Sequence, residues 1–217
     1  VLYYGPSSIK DIDNLLAKTF KTAKKFAPLP KEKRYTLQTT PQNEVIIAPY
    51  NAKNIYMVQF HNENKEWNPN DAAKISLFNE YFGGGMNAIV FQEMREARAL
   101  AYTASASYHM PNRLGDKDYF NTFIITQNDK MMDCIAQFNE LLNNMPVRLA
   151  NFDLAKQNLL KSLASTRTTK FSILSAYMNA QKMGLNCTLS EKIYNDLPSV
   201  TFDDIINFEK TNIGHKT

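Results

Sequence analysis

The sequence contains few side chains that could bind a metal ion. Its histidines are His61, His109 and His215, and none of them belongs to an HxxEH, HExxH or HxxH motif. Such motifs place two ligands on one face of a helix, which a zinc site requires. His61 and Glu63, with His109, could form a carboxylate–histidine site, but their spacing matches no known ligand pattern. We therefore expect no zinc site built by this chain alone.

A run of three glycines, Gly83-Gly84-Gly85, is the second feature that could do chemistry. Glycine-rich turns can cradle a phosphate with backbone N–H groups, but this run lacks the spacing of GxxxxGK and of GxGxxG. Three glycines also permit positive φ and a tight turn between two helices. We expect this structural role, and an α+β enzyme that binds a phosphorylated ligand at the turn remains an alternative.

The elements around these residues are predicted from hydrophobic spacing. Residues 1–4 predict a strand, and Ser8 with Asp11 predicts a capping box that opens a helix. Strands are predicted over residues 44–50 and 54–61. A helix capped by Asn70 then runs to the glycines, and a second helix follows from about residue 86 to residue 97.

The second half of the chain predicts one hairpin followed by helices. Residues 101–110 and 119–126 are rich in residues that favour strands, and a turn separates them. Helices are predicted over residues 129–143, from 151 or 152 to 165, and over 171–183, and Thr201 with Asp204 predicts a capping box for a last helix. The fold class is therefore α+β, with a mostly antiparallel sheet and helices packed on one face.

Residues 81–108 form the most distinctive segment. Gly83-Gly84-Gly85 ends one helix, Phe91-Gln92-Glu93 and Arg95 lie on the next, and Leu100-Ala101-Tyr102 leads into a strand. This order and spacing resemble the C-terminal-type domain of the M16 metallopeptidases, the pitrilysin and insulinase family. In that family the link before the strand reads Gly/Ala-Leu-Ala-Tyr. The order of elements from residue 44 onward fits the same LuxS/MPP-like domain.

The resemblance implies a non-catalytic role for this chain. In the family an early domain carries zinc on HxxEH, and a later domain closes over the peptide substrate. This chain lacks HxxEH, so we expect it to bind no zinc and to be inactive alone, with zinc held by the catalytic half of the parent enzyme. An inactive family member that acts as a scaffold or a partner-binding subunit is the alternative.

The resemblance also implies a substrate-binding pair. The family uses an arginine and a tyrosine seven residues apart to contact the substrate backbone near the scissile bond, and Arg95 and Tyr102 occupy these positions. Without the motif, Arg95 would be interpreted as a solvated arginine paired with a nearby carboxylate, and Tyr102 as a core aromatic of a strand. Phe91 is more typical of a core position. Arg98 is the competing arginine, and the spacing to Tyr102 favours Arg95.

The same resemblance divides the chain. Residues 1–21 are similar to the closing strand and helix of a preceding homologous repeat, residues 22–43 form a linker, and residues 44–217 form the C-terminal-type domain without its last strand. We expect residues 1–4 to occupy the sheet position of that missing strand. The linker favours a zinc-bearing half on the same polypeptide rather than on a separate subunit.

Charge and composition exclude some other classes. The net charge is +4, and no basic face is interleaved with aromatic residues, so nucleic-acid binding is not expected. No apolar run is long enough to span a membrane. Cys134 and Cys187 are far apart without a CxxC motif and predict two buried thiols rather than a disulfide. The sequence fits a soluble protein of either the periplasm or the cytoplasm.

Overall fold

The fold is described by a computed structural model that covers residues 1–21 and 25–214. Residues 22–24 of the predicted linker, and residues 215–217 including His215, lie outside the described residues. The strands are β1 (Asn54–His61), β2 (Thr103–His109) and β3 (Tyr119–Gln127). The α-helices are α1 (Ile9–Thr19), α2 (Ala72–Phe78), α3 (Ile89–Phe91), α4 (Met131–Asn143), α5 (Leu149–Ser165), α6 (Ile173–Lys182), α7 (Leu189–Asp196) and α8 (Phe202–Asn212).

The described strands form one antiparallel sheet in the order β1-β3-β2. β2 and β3 pair from Thr103 opposite Ile125 to His109 opposite Tyr119, which confirms the predicted hairpin. β1 lies on the other side of β3, with His61 opposite Phe120. β1 therefore pairs with β3, the last of the described strands, although α2, α3 and β2 lie between them in the sequence.

The helical segments that contact the sheet come from α2, α3 and α4 and the π-helical turns after α2 and α3, and they pack on one face, as the sequence predicts. Every second residue of β2 and β3 is buried, whereas the alternate residues are half-buried on the open face. The largest side chains of the core come mainly from the sheet and from the helical segments packed on it: Tyr81, Phe78, Phe82, Phe120, Phe138, Ile75, Leu77, Ile89, Met94, Ile124, Leu142 and Leu197. Successive side chains of a strand point to opposite faces of the sheet, and helices cover only one of these faces. This explains why every second residue of β2 and β3 is buried.

Local capping signals explain several helix boundaries. The reciprocal capping box of Thr201 and Asp204 opens α8 as predicted. Ser8 also caps α1, where its hydroxyl accepts from the N–H of Asp11. The helical run before the glycines is opened by Asn68 rather than by Asn70, because the Asn68 side chain accepts from the Asn70 N–H. Sequence analysis missed α7, although Thr188 caps it.

Two predicted strands are wrong. Residues 44–50 are irregular, and Val45, Ile46 and Ile47 are all more than four-fifths exposed. Residues 1–4 are also exposed and join none of the described strands, so they do not fill a place in this sheet. Both segments carry β-prone residues, but β-propensity reflects packing against neighbouring strands and is not sufficient without them.

No helix in the described part of the chain is long and apolar enough to cross a membrane.

Candidate functional site

Arg95 lies on an irregular helix at one end of the sheet. The single turn of α3 continues directly into a π-helix, Gln92–Ala97, which carries Arg95. The Cζ atom of Arg95 lies 5.0 Å from the centre of the Phe91 ring and 5.6 Å from the centre of the Tyr102 ring. Both distances are within cation–π range. Short π-helical segments are rare, and they occur frequently at functional sites.

Tyr102 lies directly before β2, where the sheet begins. Its backbone N–H donates to the carbonyl of Ile125 at 2.9 Å, so the main chain is held by β3. The side chain is 73% exposed. The alternative prediction of a buried strand aromatic is therefore wrong, and the ring is available on the surface beside Arg95.

A tight link between the helix and β2 brings the two residues together. The N–H groups of Leu100 and Ala101 donate to the carbonyl of Met94 at 2.9 and 3.3 Å, which turns the chain back on itself. Ala99 has φ of +49°, a conformation that costs a residue with a Cβ atom roughly 1–2 kcal/mol. This left-handed turn converts a sequence separation of seven residues into a side-chain contact.

Arg98 has a different environment from Arg95. Its guanidinium donates to the carboxylate of Glu93, which is 7% exposed, and Arg148 donates to the other oxygen of that carboxylate. Burial alone would raise the pKa of Glu93, but the two arginines outweigh it and hold that pKa below its ordinary value. Arg98 is therefore part of a structural ion cluster. The choice of Arg95 over Arg98 as the substrate contact stays a prediction.

The Glu93 cluster also fixes the helix that carries Arg95. Arg148 lies directly before α5, and its backbone N–H donates to the Tyr81 hydroxyl at 3.1 Å. Glu93 thus ties the π-helix to the start of α5. The sequence does not predict the pairing of Glu93 with Arg148, because the two residues are 55 positions apart and share no local motif.

The guanidinium of Arg95 keeps its donors accessible. Its polar contact is an approach of Nε to Glu96 Oε1 at 3.8 Å, and both side chains are about half exposed. Such surface pairs contribute little energy. The rings of Phe91 and Tyr102 contact the guanidinium of Arg95. Within the described residues, Arg95 makes no hydrogen bond to another side chain. Arg95 and Tyr102 together present N–H and O–H donors to solvent.

The glycine run serves the packing behind the site. A Cβ atom on Gly83 would lie 1.9 Å from the carbonyl oxygen of Ala106, so only glycine lets the helix approach β2 this closely. Gly85 has φ of +155°, which allows the turn into α3. The Gly84 N–H donates to the Asn79 carbonyl at 2.8 Å and is not directed at a ligand. The geometry therefore supports the structural role of the turn.

The described histidines do not fit a shared metal site. His61 lies opposite Phe120 and His109 lies opposite Tyr119, and consecutive residues of β3 face opposite sides of the sheet. His109 stacks on the Tyr119 ring at 4.4 Å. In the described part of the chain, no three histidine, cysteine or acidic side chains are grouped so that they could hold a metal ion.

A buried polar cluster lies near His61 and is separate from Arg95. It includes Asp118, Tyr108 and Lys65, with Lys65 Nζ donating to Asn212 at 2.9 Å. Burial raises the pKa of Asp118 to about 6, although the charge of Lys65 and the hydroxyl of Tyr108 act against this shift. The cavity among these residues is about 10 Å³, which is too small for a substrate.

Comparison with known proteins identifies the family. The family model for the peptidase M16 inactive domain matches residues 1–169. The chain belongs to the peptidase M16 family. The helix–glycine–helix–strand segment that carries Arg95 and Tyr102 lies inside the matched region. No curated protein matches the chain.

Solved structures support the M16 fold. An M16 inactive domain from Pseudomonas fluorescens is 17% identical, with a TM-score of 0.63 over 77% of this chain and 40% of that one. A protease from Helicobacter pylori is 13% identical, with a TM-score of 0.69 over 94% of this chain and 50% of that one. The periplasmic protease PqqL from Escherichia coli is 15% identical, with a TM-score of 0.64 over 96% of this chain and 23% of that one. The chain thus spans half or less of these relatives.

Proposed function

We propose that this chain is the non-catalytic, substrate-clamping half of an M16-type zinc endopeptidase, in which Arg95 and Tyr102 contact the substrate backbone near the scissile bond. The observation that carries this proposal is the exposed pairing of the two side chains, 5.6 Å from guanidinium carbon to ring centre. Both residues sit on backbone held by β3, by the left-handed turn at Ala99 and by the Glu93 cluster.

The chemistry of the pair suits a peptide carbonyl under attack. As water adds to the carbonyl carbon, the carbonyl oxygen gains negative charge. Arg95 supplies a permanent positive charge and fixed N–H donors, and Tyr102 supplies an O–H donor on a rigid ring. Preorganised donors of this kind stabilise the tetrahedral state more than the ground state, and removing one typically lowers kcat by roughly 10²–10³.

The organisation of the whole protein is part of the proposal. Residues 1–21 would be the end of a preceding repeat, residues 22–43 the linker, and residues 44–217 the closing domain. The zinc-bearing half would precede it on the same polypeptide. Supporting this arrangement, a protease from Helicobacter pylori contains a matching region in a chain about twice as long.

The test measures the hydrolysis of β-casein, a disordered protein, by the full native protein. If the zinc-bearing half is a separate chain, the two are assayed together. Arg95→Lys keeps the charge but loses the planar fork, and Tyr102→Phe loses only the hydroxyl. We expect each variant to lower kcat by roughly 10²-fold or more with a smaller change in KM. Arg167→Lys and Tyr194→Phe, at exposed positions outside the segment that carries Arg95 and Tyr102, are the matched controls.

The scaffold alternative predicts a different result. If the parent is an inactive M16 member, neither the wild type nor any variant will digest casein. If the parent is active but the pair has no contact with substrate, Arg95→Lys and Tyr102→Phe will digest casein as the controls do. Unchanged kcat and KM in both variants would therefore refute the substrate-clamping proposal.

A further inference from the structure

We propose that Phe91 is a positioning residue for Arg95, a role that rests on the proposed function of the Arg95–Tyr102 pair. Phe91 is the closest ring to the Arg95 guanidinium, at 5.0 Å from ring centre to Cζ. Sequence analysis assigned it to the core, but the structure leaves it only half-buried beside an exposed arginine. The site is thus a unit of three side chains, Phe91, Arg95 and Tyr102.

The helix explains why Phe91 reaches this position. Phe91 precedes Arg95 by four residues, and this spacing is close to one turn both in an α-helix and in the π-helix that begins at Gln92. Tyr102 approaches from the start of β2, a different element. The guanidinium is therefore held by one ring from its own helix and by one ring from the sheet.

Ring contacts restrain the guanidinium without using its donors. Aromatic rings attract the cation through their faces, whereas the N–H bonds of arginine point outward in the guanidinium plane. A carboxylate partner would instead occupy those N–H groups, as Glu93 does for Arg98. Phe91 thus orients Arg95 and leaves its hydrogen-bonding edge open for a substrate carbonyl.

Glu96 is the competing partner that Phe91 must outweigh. Its carboxylate oxygen lies 3.8 Å from Arg95 Nε, too far for a hydrogen bond. Without the Phe91 ring, a small rotation of the arginine side chain would turn this long ion pair into a hydrogen bond from Arg95 to Glu96. We expect that state to hold the guanidinium away from substrate and to lower turnover.

The first experiment measures the position of the guanidinium directly. In the native protein labelled with ¹⁵N-arginine, the Arg95 Nε–Hε signal is assigned by its loss in Arg95→Lys. We expect ring currents to displace this signal from that of the exposed Arg167. Phe91→Leu should move it toward the Arg167 position, and Phe91→Tyr should retain the displacement. A signal unchanged in folded Phe91→Leu would overturn the proposal.

The second experiment tests the consequence for turnover of β-casein. Exposed cation–π contacts are worth enough to change a rate by about two- to fivefold. We expect this loss of kcat in Phe91→Leu, and wild-type kcat in Phe91→Tyr. In an Arg95→Lys background, Phe91→Leu should cause no further loss. An equal loss in both backgrounds would show a merely structural role and overturn the proposal.

These outcomes separate the inference from the proposed function. If Arg95→Lys and Tyr102→Phe both leave turnover unchanged, the proposed function fails, and with it the role of Phe91 in catalysis. If Arg95→Lys is impaired but Phe91→Leu is not, only the role of Phe91 fails. Phe91→Met, which keeps a flexible apolar side chain of similar length, replaces Phe91→Leu if the latter does not fold.

Discussion

Replacing Gly83 by alanine should destabilise this protein more than the same change at either neighbouring glycine. The new Cβ atom of Gly83→Ala would lie 1.9 Å from the backbone oxygen of Ala106, and real Cβ atoms essentially never come within 3.0 Å of a neighbour. Because the obstacle is main chain in the middle of β2, the helix must move away from the sheet. Overpacking of this kind costs roughly 2–3 kcal/mol.

The two neighbouring glycines provide matched controls. At Gly84 the nearest atom is 3.1 Å from the new Cβ and φ is −118°, so alanine fits with a small adjustment. At Gly85 there is open space, but φ of +155° strains any residue with a Cβ atom, at a cost of about 1–3 kcal/mol. The predicted order of destabilisation is Gly83→Ala, then Gly85→Ala, then Gly84→Ala.

Urea unfolding followed by the fluorescence of Trp67, the single and buried tryptophan, measures this order. For Gly83→Ala we expect the free energy of unfolding in urea to fall by roughly 2–3 kcal/mol. In thermal unfolding this loss corresponds to a melting temperature lower by roughly 4–12 °C, given about 2–4 °C per kcal/mol for a domain of this size. If Gly83→Ala is as stable as Gly84→Ala, the close contact between the helix and β2 does not exist, and the packing argument is refuted.

Two further predictions concern pH and helix caps. Burial raises the pKa of Glu209 from 4.5 to about 7, so the folded state binds its proton more tightly than the unfolded state. The wild type should therefore lose stability as pH rises from about 4.5 to 7, and Glu209→Gln should not lose this contribution. Free energies of unfolding that change in parallel with pH in the two proteins would contradict this. Thr201→Ala should lose about 1 kcal/mol in urea unfolding. Ser8→Ala should leave the free energy of unfolding in urea nearly unchanged, because α1 buries no residue. Equal losses in Ser8→Ala and Thr201→Ala would contradict this.

Sequence patterns predicted the elements whose signals are local. The β2–β3 hairpin alternates in a strict period of two, and the capping box of Thr201 and Asp204 is complete within four residues. The strand predicted over residues 44–50 is wrong because a strand requires a partner strand. The apolar side chains Val45, Ile46 and Ile47 have no neighbouring strand to pack against in the described sheet. Propensity alone could not reveal that absence.

The candidate site was predictable only in part, for a related reason. The spacing of Arg95 and Tyr102 lies within one short segment, so a family motif can carry it. The Glu93–Arg148 ion pair joins residues 55 positions apart, and only the folded chain brings them together. Phe91 was assigned to the core because its residue type is apolar, whereas its position beside Arg95 depends on how the helix and β2 meet.

Arg95 and Arg98 show two ways in which this fold restrains an arginine side chain. Both arginines lie at the end of one helix, three residues apart, and their chemistry is identical. Arg98 donates to the buried carboxylate of Glu93, which it shares with Arg148. Moving its charge to a substrate would take one of two arginines away from a buried carboxylate, which is costly. Arg95 contacts rings, which restrain its position but accept none of its hydrogen bonds. Restraint by rings leaves the N–H donors of Arg95 open, which the proposed contact with a substrate backbone requires.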